Sequence, residues 1–136
     1  MSDIIRIANC SGFYGDRLDA AKEMVDGGPI DVLTGDYLAE LTMSILYSQQ
    51  QTRGEHTGYV GTFLKQLQAV AQTCQEKNIK IVTNAGGLNP SSMAAEVEKI
   101  LAELGVEMKV AYIDGDNLLE DLETLQTEGE ALTNLD

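Results

Sequence analysis

The sequence predicts an α/β fold: a parallel sheet with alternating helices, arranged as a Rossmann-like open sheet. Three observations carry that expectation. Four short β-branched runs alternate with longer stretches of helical periodicity; each run opens into a polar, Gly-containing loop; and no Pro/Ser-rich linker or internal repeat divides the 136 residues. Strands separated by helices pair in parallel through right-handed crossovers, so the loops that follow the strands share one edge of the sheet, where ligands bind in such folds. A doubly wound sheet is the first expectation. The opening of a barrel is the alternative, and it would place the site on the same edge.

The expected order is β-α-β-α-α-β-α-β-α. The first strand, Ile4 to Asn9, runs into Ser11-Gly12-Phe13-Tyr14-Gly15-Asp16. Asp16 is placed to cap a helix over about Arg17 to Asp26, where Leu18, Ala21 and Val25 recur at helical spacing and Gly27-Gly28 stop it. The second strand, Ile30 to Leu33, ends in Thr34-Gly35-Asp36. A helix from about Tyr37 to Gln50 carries Leu38, Leu41, Ile45 and Leu46 on one face. After the polar break Thr52 to Gly58, a longer helix over about Tyr59 to Glu76 buries Phe63, Leu67, Val70 and Cys74. Ile79 to Asn84 is the third strand. Asn89 as N-cap and Pro90 at the first helical position then start a helix that reaches Leu104, with Gly105 as its C-terminal cap. Met108 to Ile113 is the fourth strand, followed by Asp114-Gly115-Asp116-Asn117. Leu118, Leu122 and Leu125 suggest a last helix in an acidic terminal segment, residues 118–136.

Length and composition bound the function. The chain is long enough for one domain with a hydrophobic core and too short for two. Nine basic against 22 acidic residues give a formal net charge of −13, which opposes binding to nucleic acid or to an anionic membrane surface. From Asp114 to Asp136 there are eight carboxylates and no Lys or Arg, a pattern that ordinarily marks a solvated helix face or a frayed end. No apolar run is long enough to span a membrane, and the N-terminus lacks the basic and apolar regions of a signal peptide. Two cysteines without CxxC or Cys/His spacing read as reduced thiols, so a cytoplasmic protein is expected.

Four loops hold the candidate chemistry. In the first, Gly12 permits close backbone approach, and Asn9, Ser11 and Tyr14 are placed to line a pocket; a tight turn capped by Asp16 is the competing reading. In the second, Asp36 and Glu40 stand four residues apart, so on a helix they share a face and could act as acid and base or hold a divalent ion. Capping by Asp36 and solvation of Glu40 compete with that. The third, Thr83 to Pro90, is the most informative. Asn84 offers both a donor and an acceptor, while Gly86 and Gly87, followed by Asn89 as a further binding candidate, leave backbone N–H groups beside a helix N-terminus to cradle a carboxylate or phosphate; a capped turn, which accounts for Asn89 and Pro90, is the competing reading. The fourth, Asp114-Gly115-Asp116, adds carboxylates that could join Asp36 and Glu40 around Mg²⁺ or Ca²⁺, against the simpler reading of turn and cap. His56, Cys10 and Cys74 read as an exposed histidine, a buried small residue and a core residue.

The motifs Asn9-Cys-Ser-Gly-Phe-Tyr-Gly-Asp-Arg17, Leu33-Thr-Gly-Asp-Tyr-Leu-Ala-Glu-Leu-Thr-Met43, Thr83-Asn-Ala-Gly-Gly-Leu-Asn-Pro90 and Asp114-Gly-Asp116, in this order, resemble the N-terminal part of the acyclic terpene utilisation (AtuA-type) family. The resemblance implies a role in bacterial breakdown of acyclic terpenes such as citronellol and geraniol, beside acyl-CoA enzymes. It also implies that residues 1–136 correspond to the N-terminal portion of a longer family domain, as a fragment or as an unusually short relative. It leaves any cofactor open and offers no agreed catalytic set, so the site residues rest on the loops: Asp36, Glu40 and Asn84 for chemistry, the others for binding a small anionic or acyl molecule. A truncated sheet exposes an edge or a face, so self-association or a partner chain completing the domain is expected.

Overall fold

The computed structural model describes residues 4–119 and 121–129. Three strands, β1 (Ile7–Asn9), β2 (Val32–Gly35) and β3 (Lys80–Thr83), pair in parallel in the order β1-β2-β3. Ile7, Val32 and Lys80 lie in register, followed by Ala8, Leu33 and Ile81, then Asn9, Thr34 and Val82. The helices are α1 (Ala20–Gly27), α2 (Glu40–Arg53), α3 (Gly61–Lys77), α4 (Pro90–Leu104) and α5 (Leu122–Thr127). The α/β class and the open parallel sheet are therefore as the sequence predicts. No helix among the described residues is long and apolar enough to cross a membrane.

Helix α3 organises the core. Phe63, Gln66, Leu67, Val70, Ala71 and Cys74 recur at three- and four-residue spacing and are all buried. One part of the core joins α3 to Tyr37, Leu46, Val60 and the α4 stripe of Val97, Ile100 and Leu101. The other joins Val70 and Cys74 to Ala21 and Val25 of α1 and to Leu33 of β2. Asn78 in the left-handed conformation (φ 54°) ends α3 with its N–H on Cys74 and Gln75. The caps of α4 are the expected ones. Asn89 accepts from Ser92 N–H, Pro90 opens the helix, and Gly105 closes it at φ 67°.

Several boundaries differ from expectation. Asp16 does not cap α1, which starts later behind Asp19; its carboxylate instead closes its own loop by accepting Gly12 N–H at 3.0 Å and Arg17 N–H at 2.8 Å. Helix α2 starts at Glu40 behind an extended Ala39, because Tyr37 is drawn into the core and holds the chain away from helical geometry. Leu18 and Leu41 face solvent rather than the core. The fourth strand is absent among the described residues. Met108 and Val110 pack on the core with the two-residue alternation of a strand, yet the segment makes no ladder with β3, and Ile113 is 94% exposed. Two anchored side chains do not offset the entropy of ordering a six-residue strand whose other positions have nothing to pack on. Residues 130–136 of the acidic tail lie outside the described residues.

Candidate functional site

The ends of the three strands are tied together by side chains. Cys10 N–H donates to the Thr34 carbonyl at 2.8 Å and Asp36 N–H to the Ser11 carbonyl at 3.0 Å, continuing the β1–β2 pairing past the strands. Asn9 Nδ2 donates to the Ser11 carbonyl (2.9 Å), and Thr34 Oγ1 donates to Asn9 Oδ1 (3.2 Å). Asn84 bridges β3 to the β2–α2 loop: its Oδ1 accepts Tyr37 N–H at 2.8 Å and its Nδ2 donates to Asp36 Oδ1 at 2.6 Å. A backbone N–H can only donate and a carboxylate only accepts, so the amide orientation is fixed. The predicted residues Asn9, Asp36 and Asn84 thus meet at one edge. Strand parity places Asn9 and Thr34 on the face opposite α1 and α3, and continues to Asp36 and Asn84 beyond the strands.

Other predicted residues are arranged differently. Asp36 precedes α2, so it and Glu40 do not share a helix face. Glu40 is exposed in the first turn of α2. Asp114 and Asp116 do not converge with this pair on a metal-binding group: no three His, Cys, Asp or Glu side chains do so among the described residues. They line instead a cleft of about 510 Å³ with Met43, Gly87, Leu88 and Asn89. Among the described residues no Lys or Arg lines the cleft.

The paired glycines are demanded by packing. A Cβ on Gly86 would stand 2.8 Å from Pro90 Cβ; one on Gly87, at φ 54°, would stand 2.4 Å from Leu46 Cδ1 and 2.7 Å from the Gly58 carbonyl. The loop's N–H groups are turned inward: Gly87 donates to Asn84, Leu88 to Gly58 and Asn89 to Gly86, all on carbonyls. The Asn89 side chain is also committed, accepting Ser92 N–H and the Ser91 hydroxyl and donating to the carbonyls of Glu55 and Thr57. In the first loop Ser11 is buried with its hydroxyl on the Phe13 carbonyl, Gly12 is exposed with its N–H on Asp16, and Tyr14 is half-buried with its hydroxyl 3.5 Å from Gln49 Nε2. The Gly12 N–H, then that of Arg17, hold Asp16 below the usual carboxylate range.

Behind the edge lies a buried polar group not anticipated from sequence. Tyr37 is 1% exposed and Gln66 2% exposed; the Tyr37 hydroxyl donates to Gln66 Oε1, and Gln66 Nε2 donates to the Arg17 carbonyl at 3.0 Å. Burial, with the neighbouring Cys10 thiol adding to it, pushes the Tyr37 phenol well above its ordinary value. Burial likewise raises the Cys10 thiol, against a smaller opposite pull from Tyr37, and pushes Cys74 up to about 11. Both cysteines are buried thiols, and His56 is exposed, as expected. The signal for Gln66 was present: a lone amide between Phe63 and Leu67 on the apolar stripe of α3.

No curated protein and no solved structure matches the chain. Residues 5–136 match the family model described as acyclic terpene utilisation family protein AtuA, and the chain belongs to that family.

Proposed function

We propose that the chain binds a small acyl ligand at the C-terminal edge of its sheet, in the breakdown of acyclic terpenes or related acyl compounds. Membership of the family points to a role in acyclic terpene utilisation. The ligand reading rests on the Asn84–Asp36 pair. Asn84 has a second Nδ2 hydrogen and Asp36 a second carboxylate oxygen, neither with a partner among the described residues. A donor fixed beside an acceptor suits a carbonyl oxygen and a nearby exchangeable proton. Asn84 orients the carbonyl, Asp36 is the base, and Glu40 is a second acid/base group; Asn9, Ser11, Gly12 and Tyr14 form one wall and Gly86, Gly87 and Asn89 the other.

Of the two ligand classes expected from sequence, the acyl carbonyl is favoured over the anion. A carboxylate or phosphate needs cations or free N–H groups. Among the described residues the cleft has no Lys or Arg, and three N–H groups of the β3–α4 loop are spent on carbonyls. The test is a thermal-shift series with an uncharged acyl thioester of N-acetylcysteamine and with the matching free acid. Stabilisation by the thioester should vanish in Asp36→Asn and Asn84→Ala while circular dichroism stays unchanged. Equal stabilisation of wild type and both variants would sink the reading.

A second reading is a non-catalytic binding or assembly subunit. It is favoured by the apolar face that carries Ile5, Ile7 and Val82, which are 67, 64 and 59% exposed. In it the chain is the N-terminal portion of an AtuA-type domain, cytoplasmic, completed by a partner chain or a second copy over that face. A sedimentation coefficient that stays at the monomer value at every concentration would count against a second copy.

A further inference from the structure

We propose that Gln66 is the positioning residue of this edge, a buried amide that ties the β2–α2 loop to the β1–α1 loop and so holds Asp36 and Asn84 where they are. What the edge binds rests on the reading above; the tie itself does not.

Gln66 occupies a position in α3 where an apolar residue would complete the stripe of Phe63, Leu67 and Val70. An amide at 2% exposure is costly unless both its ends are bonded. Both are, and to different loops: Oε1 to the Tyr37 hydroxyl, Nε2 to the Arg17 carbonyl. A carbonyl only accepts, so the amide can face one way only. Tyr37 is in turn held at every polar atom. Its N–H meets Asn84 at 2.8 Å and its carbonyl accepts the Thr42 hydroxyl at 3.0 Å. Its ring packs edge-on to Phe63, 6.2 Å between centroids, and lies so close to Gly35 that a Cβ there would be 2.6 Å from it. Asp36 is the preceding residue, bonded to the same Asn84. The Gln66 amide therefore reaches the edge through a single side chain. Because burial keeps the Tyr37 phenol protonated, it remains the donor across the ordinary pH range.

Amide hydrogen exchange on the full chain, normalised to intrinsic rates, tests this. The reporter is Tyr37 N–H, which bonds Asn84, and the controls are the amides of Val97 and Ile100 in α4. Gln66→Leu should speed the reporter at least tenfold and the controls less than threefold. Reporter and controls rising together would make Gln66 an ordinary core residue, and an unmoved reporter would show that no tie exists; either overturns the proposal. Gln66→Glu adds a pH profile that a purely structural role would not give. Its carboxylate accepts from Tyr37 but cannot donate to Arg17, whereas its protonated form can. Gly12–Arg17 amides should therefore tighten as pH falls through the titration of that group, and a flat profile would overturn the proposal. If Gln66→Leu fails to fold, Tyr37→Phe removes one hydroxyl and should still speed the reporter several-fold; no change there overturns it too. Loss of thioester binding to wild type with the exchange pattern intact would refute the ligand and leave the tie standing.

Discussion

The two faces of the sheet are made by alternate residues of the same three strands, yet one is core and the other surface. Leu33 is 2% exposed beneath α1 and α3, whereas Val82 is 59% and Ile7 64% exposed on the opposite side. The cause is topological. In the order β1-β2-β3 each crossover steps the same way, and a right-handed crossover that always steps the same way puts every connecting helix on one face. Covering the other face of a doubly wound sheet needs a reversal of strand order, and the three strands contain none. Parallel sheets are ordinarily covered on both sides. The covered face thus supplies stability, while the polar residues of the candidate site stand at the end of the uncovered one.

Leu33→Ala on the covered face has the largest expected effect, about 2–5 kcal/mol of unfolding free energy, from lost burial plus the cavity left behind. Urea unfolding measures it. A cost below about 1 kcal/mol would mean that α1 and α3 do not close over β2 as described. Gly87→Ala comes next, at about 1–3 kcal/mol, because the new Cβ meets both Leu46 and the Gly58 carbonyl in a left-handed backbone. A neutral result would mean that the turn does not pack against Leu46 and Gly58 as described.

The contrast between the faces also explains what could be read in the sequence. Periodicity revealed α3 because its stripe answers to one local partner, the core. Asn89, Pro90 and Gly105 were legible because caps are local chemistry. Strand alternation could say that Val82 and Ile81 point opposite ways, but not which side the helices take, since that depends on strand order. The site was half legible for a related reason. Asn84 and Asp36 were recognisable as strand-end polar residues, but the hydrogen bond between them spans 48 positions. The shared helix face expected of Asp36 and Glu40 is absent because the helix starts only at Glu40, and a buried Tyr37 is the reason. Met108 to Ile113 failed because a strand needs neighbours that local pattern cannot supply.

A smaller effect is expected at the foot of the sheet, where Asp31 joins β1 to β2. Its carboxylate accepts the Arg6 N–H at 2.8 Å and pairs with the guanidinium at 3.1 Å, and the guanidinium hydrogen bond, then the backbone one, hold it below the usual carboxylate range. A depressed folded pKa means that the contribution is complete above the unfolded value, near ~3.9, and is lost as pH falls through the folded one. Asp31→Asn should therefore lie below wild type in urea midpoint at pH 7 and approach it as pH falls below the unfolded value. Relief of the −13 net charge in acid acts on both proteins and largely cancels in the difference. A gap that widens in acid would contradict the ion pair.

Val82→Thr should have the smallest effect, within about 0.5 kcal/mol. The two side chains have nearly the same shape, and position 82 stands in register with Thr34, so the new hydroxyl faces water beside another hydroxyl. The same swap on a buried face replaces a methyl by an unpartnered hydroxyl and costs about 1–3 kcal/mol. The substitution therefore reads coverage directly. A near-neutral result at every protein concentration means that the face is open in solution and that the Asn9, Thr34, Asp36 and Asn84 edge is reached from that side. A cost of more than about 1 kcal/mol that grows with protein concentration means that a second copy covers it, because only an association linked to folding makes a surface substitution concentration-dependent. In that case the asymmetry of the two faces belongs to the single chain alone, and the second wall of the site comes from the neighbour.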